Sequence, residues 1–352
     1  MKASLKVCGL AFAAVFGIGF LAAQAQSGRP LTVVSWGGAY QDAQKKVYFE
    51  PFKAASGKEM IDESWDGGIG VLRSKVEGGT DSGWDVVQVE SEELTLGCDE
   101  GLFDPLDWDK IGGKDMYMDA AVHECGVGAI VWDFVLGYDK DKLAEGPAGW
   151  ADFFDTAKFP GKRGLRQGPK SNLEFALIAD GVAPADVYSV LKTPEGVDRA
   201  FAKLDTIKKD VVWWKAGAQA PQLLASGEVA MTSAYNGRLD AANLNDKRNF
   251  GIQWNGALYT IDSWVILKTS PNKDVAYEYL AFVGKPDLQA KLPEAIAYGV
   301  TAKEATPLID AKRLADLPTA PDNIKNAVQI SDAFWIENID RLTERFNKWA
   351  AK

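Results

Sequence analysis

Several short stretches of this chain put aromatic rings and charged groups where an apolar run ends and a helical pattern begins. Trp36-Gly37-Gly38-Ala39-Tyr40 closes the first such run, and its two glycines permit a close backbone approach to a ligand. Asp85-Val86-Val87-Gln88-Val89-Glu90-Ser91 ends a second run, and Ser233-Ala234-Tyr235-Asn236-Gly237-Arg238 ends a third. In open α/β sheets small ligands sit beyond the carboxyl ends of strands, so these are candidate binding positions. Asn236 is expected to cap the following helix, with Arg238 in its first turn. A cation there opposes the helix dipole and is better placed on an anion. Tyr298 stands before Gly299 in a further apparent loop.

Signatures of catalysis are missing. The chain has no G-x-x-x-x-G-K-[ST] loop to cradle phosphates and no G-x-S-x-G nucleophile elbow. Gly126-Val127-Gly128 lacks the third glycine of a dinucleotide-binding turn and leads into a strand. The single histidine, His123, leaves no multi-histidine metal site and no partnered triad, and no metal or cofactor is expected. Glu90, Glu92 and Glu93 cluster, but among 49 acids such clusters arise without catalytic purpose. An exported carbohydrate-active enzyme is the rival reading from another class. It requires two carboxyls roughly 5–10 Å apart across a cleft. Ferric-ion binding through tyrosines is weaker still, because no Tyr-Tyr pair occurs.

The elements that must position these residues alternate along the chain. Strands are expected at 31–36, 84–89, 128–132, 135–138, 229–235, 250–254 and 259–267, with helical patterns between them, which predicts an α/β protein with largely parallel sheets. Trp335, Ile339, Leu342, Phe346 and Trp349 form one apolar stripe, the mark of a closing core helix. The run Gly256 to Leu267 is long for one strand and carries a lone carboxylate, Asp262. Asp262 is either a bulge or edge position or a ligand anchor where the chain crosses between two domains. With 352 residues and 47% hydrophobic content, the chain suffices for roughly two domains.

Residues 1–25 read as an export signal: Lys2 and Lys6 precede an uncharged run from Val7 to Ala23, and Ala23-Gln24-Ala25 gives a small-x-small cleavage pattern. Export to the periplasm leaves Cys98 and Cys125 as the remaining cysteines in an oxidising compartment, where a structural disulfide is favoured. A net charge of −10 argues against nucleic acid as a partner.

Trp36-Gly37-Gly38-x-Tyr40, Tyr235-Asn236-Gly237 and Ile261-Asp262-Ser263, in this order, resemble the bacterial solute-binding proteins of ABC importers, more narrowly the spermidine/putrescine-binding group. The resemblance implies a two-lobed type II periplasmic binding fold with strand crossovers as the hinge. It places 26–134 with 262–305 in one lobe and 135–261 with 306–352 in the other. It also implies a monomer that delivers a small amine or amino acid to a membrane permease. By the same resemblance Trp36 and Tyr235 wall an alkyl chain, Asp262 takes an ammonium group and Tyr298 faces the ligand. Tyr40, Glu90, Ser91 and Arg238 complete the expected site.

The departures from that group redirect the ligand. Polyamine binders carry acids in the loop matching Gly168 to Asn172, whereas this chain has Lys170 there. It also places Glu90 and Glu92 where small polar and aromatic residues are usual, and Thr260 where a tryptophan is common. A dication needs an acid at each end and is repelled by Arg238 or Lys170. A zwitterion needs one partner of each sign, which Asp262 and Arg238 supply. The sequence therefore favours an ω-amino acid such as 4-aminobutanoate, with putrescine or spermidine as the alternative.

Overall fold

The computed structural model describes residues 28–351. The expected leader, residues 1–25, lies outside them. No helix among the described residues is long and apolar enough to cross a membrane. Among the described residues nine strands form one sheet: β1 (Leu31–Ser35), β2 (Met60–Ser64), β3 (Val86–Val89), β4 (Gly126–Asp139), β5 (Arg163–Arg166), β6 (Val211–Trp214), β7 (Met231–Tyr235), β8 (Phe250–Ile266) and β9 (Val328–Gln329). Their order is β2-β1-β3-β8-β4-β7-β5-β6, with β9 alongside β8.

The α/β class is as expected, but the sheet is mixed rather than largely parallel. β1 pairs in parallel with β2 and β3, and β5 with β6 and β7. Between these parallel groups the two longest strands, β4 and β8, run antiparallel to each other and to β3 and β7. β8 meets β3 through Ser263–Ile266, and β4 meets β7 through Phe134–Tyr138. Both strands therefore pass from one half of the molecule into the other. Their pairing slips between Gly128 and Ile130, opposite Asp262 and Ser263, and again between Phe134 and Leu136.

Each long strand was expected as two. The stretches 128–132 and 135–138 are one strand because Asp133, which looks like a polar break, is fully buried in mid-strand. Its backbone N–H donates to Asn236 Oδ1 at 3.1 Å. The stretches 250–254 and 259–267 are joined by a bulge in which Gly256 takes φ 75°, a conformation closed to most side chains. Near-continuous apolar sequence is what a strand covered on both faces requires, and β1 is buried at all five positions. β2, β5, β6 and the helical stretch from Gly38 to Ser56 were not expected.

The closing helix spans Asp332–Ala350, with Ser331 Oγ accepting from the Phe334 N–H at 3.3 Å. Trp335, Leu342 and Phe346 are buried, and Trp213 packs edge-on against Phe346 at 5.2 Å. Each such apolar side chain contributes roughly 1.5–3 kcal/mol. Cys98 and Cys125 are disulfide-bonded, tying the helix Ser91–Asp99 to the start of β4.

Candidate ligand-binding cleft

A cavity of about 450 Å³ lies where the carboxyl ends of β1, β2 and β3 face those of β5 and β7. One wall is aromatic and comes from the first half. Trp36 stacks on Trp65 with centroids 5.2 Å apart, and the Trp65 Nε1–H donates to the Gln88 carbonyl at 3.1 Å. Tyr40, in the first turn of the helix Gly38–Gln44, accepts from Gln88 Nε2 at 2.8 Å. The facing wall carries Tyr235 at the end of β7, packed 4.5 Å from Phe134 and 5.0 Å from Trp132. Tyr298 closes the bottom, edge-on to Tyr40 at 5.1 Å. Gly237 makes room for it, since a Cβ there would lie 2.6 Å from Tyr298 Cζ.

Four basic or acidic groups define the electrostatics. Arg238 is 4% exposed and reaches across the cleft: Nη1 donates to the Gly37 carbonyl at 2.7 Å and Nη2 to the Trp36 carbonyl at 3.0 Å. Its Nε–H is buried with no partner. Gly38 is required beneath it, having φ 56° and a Cβ position 2.9 Å from Arg238 Nη1. Arg166, ending β5, donates to Glu90 Oε1 at 3.0 Å and lies 6.0 Å over the Tyr235 ring. Burial alone would raise the Glu90 carboxyl, but Arg166 and Lys170 outweigh it and hold it at about 2.

Asp262 is the contrasting case. It is 3% exposed, accepts from Trp132 Nε1 at 2.5 Å and from Gln88 Nε2 at 3.4 Å, and has no cation among its partners. Burial, reinforced by the nearby Glu90 charge, pushes its carboxyl well above the ordinary range despite the Trp132 bond.

Of the residues expected from sequence, Trp36, Tyr40, Glu90, Tyr235, Arg238 and Tyr298 line the cavity. Asp262 lies directly behind it, bonded to the lining Trp132. Ser91 is placed elsewhere: its hydroxyl donates to Asp332 Oδ1 at 2.5 Å and lies 2.9 Å from Thr260 Oγ1, fastening the closing helix. Asn236 does not cap its helix, whose N-cap is Tyr235; its Nδ2 instead donates to the Ala297 carbonyl while Oδ1 holds Asp133. Trp65, Asp66, Trp132, Arg166 and Lys215 also line the cavity and were not singled out. Arg166 was legible in principle as a cation at a strand's carboxyl end, had β5 been read as a strand.

Residues 47–322 match the model of a family described as bacterial extracellular solute-binding protein. The chain belongs to that family. Similar proteins extend the likeness over its whole length. A gamma-aminobutyric acid-binding protein of Pseudomonas aeruginosa is 46% identical over 348 residues, covering 99% of this chain and 96% of the relative. A putrescine/cadaverine-binding protein of the same organism is 25% identical, covering 84% and 86%. The solved structure of a GABA receptor superposes with TM-score 0.79 at 35% identity, covering 92% of this chain and 98% of the other. In this solute-binding protein, then, the two-lobed type II fold and the cleft between the lobes are the expected architecture. The cleft's own residues set what it holds. A ligand here meets aromatic faces along its length, a buried guanidinium whose Nε has no partner, and a buried carboxyl without a cation bonded to it.

Proposed function

We propose that this protein is the extracytoplasmic binding component of an ABC importer and that it captures a short ω-amino acid, 4-aminobutanoate above all. The observation that carries the reading is the pair of unfinished charges: the unpartnered Arg238 Nε–H and the cation-less Asp262. A zwitterion completes both. Its carboxylate takes the Arg238 Nε–H with Arg166 nearby, a charge-assisted arrangement. Its ammonium ionises Asp262 through the polar floor of Trp132, Gln88 and Tyr40. The methylene chain lies between Trp36 and Tyr235. Glu90 is committed to Arg166 and Lys170, so it shapes the site rather than receiving the ammonium. The same commitment argues against paired catalytic carboxyls. The relative named for gamma-aminobutyric acid supports this ligand.

The lobes in this reading are 26–134 with 262–305 and 135–261 with 306–352, hinged where β4 and β8 slip register. The mature chain acts as a periplasmic monomer, released by cleavage near Ala25, and hands its ligand to a membrane permease. Calorimetry with 4-aminobutanoate and putrescine tests the reading. Tight binding of the amino acid and weak binding of the diamine are expected. A preference for putrescine returns the protein to the polyamine group.

A further inference from the structure

Lys170 lies between β5 and the helix Asn172–Ala179, is 9% exposed, and is one of the departures from the polyamine pattern. Its ammonium reaches the other side of the cleft, where it donates to Glu90 Oε2 at 2.6 Å and Glu92 Oε1 at 2.5 Å. Burial works against its charge, but the two carboxylates more than compensate and raise its pKa. Glu90 caps the helix Ser91–Asp99 and Glu92 lies in its first turn; both are buried. Glu92 Oε2 is also buried and has no partner, so the acid pair retains unspent acceptor capacity. Beside them Glu93 is pushed up to about 8, by burial first and then by Glu90 and Glu92.

Glu90 joins two spaces. One oxygen faces Arg166 at the edge of the ligand cavity. The other faces Lys170 in an adjoining cavity of about 1170 Å³ that Glu92 and Lys170 also line. A ligand extended past Glu90 therefore arrives at the Lys170 ammonium. That group is a primary alkylammonium, chemically the same as either end of a diamine. The Glu90–Glu92 pair is thus already shown, by the side chain it holds, to suit such a group.

We propose that Lys170 is a specificity-determining residue: a resident ammonium that fills the Glu90–Glu92 pair and bars a second ligand ammonium from it. The inference rests on the zwitterion reading of the same cleft. With Lys170 present, a diamine's far end faces a like charge and finds no free acid. Without it, Glu90 keeps only Arg166, and Glu92, already raised by burial, loses the cation that favours its charge, so a ligand ammonium that ionises the pair again is drawn into the space Lys170 leaves. The amino-acid ligand, whose charges meet Arg238 and Asp262, is affected much less.

Lys170→Met keeps the stem and removes the charge; the double variant Lys170→Met/Glu92→Gln also removes one of the acids. Wild type and both variants are titrated by calorimetry with 4-aminobutanoate, putrescine and cadaverine. The single variant is expected to bind at least one diamine about tenfold or more tightly than wild type, from the size of close charge-pair couplings. 4-Aminobutanoate should change by less than that gain, and the double variant should lose the gain. Should Lys170→Met not fold alone, thermal unfolding with each ligand replaces titration, and a diamine but not 4-aminobutanoate should restore its transition. Overturning results are a Lys170→Met protein that neither binds nor is stabilised by either diamine beyond wild type, or a double variant with an equal gain. Failure of wild type to bind 4-aminobutanoate sinks the zwitterion reading instead, and leaves the diamine comparison between variant and wild type readable.

Discussion

Replacing Asp262 by Asn tests whether a buried, cation-less carboxyl is the ammonium receptor. The amide keeps the shape and can still accept from Trp132 Nε1, so the ligand-free cleft should be little disturbed. Losing the charge leaves a bound ammonium unpaired in a desolvated site, which costs about 2–5 kcal/mol, roughly 30-fold to several-thousand-fold in affinity for 4-aminobutanoate. Wild type should also show proton linkage. Burial and Glu90 favour the protonated form of Asp262 without ligand, and an arriving ammonium favours its ionised form. Binding then releases up to one proton, and affinity rises with pH by up to about tenfold per unit below the ligand-free pKa. Calorimetry in two buffers of different protonation enthalpy reads this directly. Glu93→Gln is the control, since Glu93, pushed up to about 8, is a second buried acid whose proton could contribute. The stability of the empty protein moves the other way. A folded pKa raised above the unfolded 3.8 gives stability that is full below 3.8 and is lost as pH rises. Ligand-free Asp262→Asn should therefore gain stability relative to wild type as pH rises above 3.8. Normal binding by Asp262→Asn, or identical heats in both buffers at all pH values, would refute the assignment.

Three further outcomes are expected. Glu174, bonded by Tyr188 and Trp335, is raised by burial from 4.5 to about 7, so it favours the fold fully below 4.5 and loses that contribution as pH rises through 7. Urea titrations should show wild type losing about 3 kcal/mol relative to Glu174→Gln between mild acid and mild alkali, and equal slopes for the two proteins would contradict this. Reducing the Cys98–Cys125 bond, whose ends are 27 positions apart, should lower stability by about 3–4 kcal/mol and leave the order of ligand preference unchanged. Arg238→Ala should weaken 4-aminobutanoate by about 2–5 kcal/mol while leaving putrescine unchanged or improved; equal losses for both ligands would show that Arg238 acts only by bridging the lobes.

The site was legible wherever a strand end coincided with an unusual residue. Trp36, Tyr40, Tyr235, Arg238 and Tyr298 stand beside glycines or at the close of apolar runs, and the structure gathers them around one cavity. Arg166, Trp65 and Trp132 escaped for separate physical reasons. β5 is Arg-Gly-Leu-Arg, whose charges hide a buried strand because Arg163 is paid off by four backbone carbonyls. β2 is half exposed at the sheet edge and carries three polar residues among five, so the tryptophan after it had no strand to mark. Trp132 stands at the end of the expected strand 128–132 with nothing beside it to mark a site; its ring is buried, and only its Nε1–H reveals the link to Asp262. The two long strands were cut in the reading at Asp133 and Gly256, positions where a polar residue or glycine is tolerated only because tertiary partners accommodate it.

The distribution of charge also decides which acid an ammonium would choose. Three carboxylates are near at hand: Asp66 on the wall, Glu90 at the edge and Asp262 behind the floor. Asp66 is exposed, and an exposed pair is screened and worth at most about 1 kcal/mol. Glu90 already has Arg166 at 3.0 Å and Lys170 at 2.6 Å, so a third cation would gain one attraction and meet two repulsions. Asp262 has no resident cation, and an ammonium beside it offsets the cost of ionising it in place. An ammonium arriving there is opposed by no neighbour bonded to that carboxyl. The other end of the ligand must then be an anion, because the groups remaining across the cleft are Arg238, Arg166 and Lys215. The same bonds bear on release: the Arg238 contacts with the Trp36 and Gly37 carbonyls and the Lys170 contacts with Glu90 and Glu92 all cross the cleft. Opening must break them together, so weakening any one should speed ligand release more than it alters ligand entry.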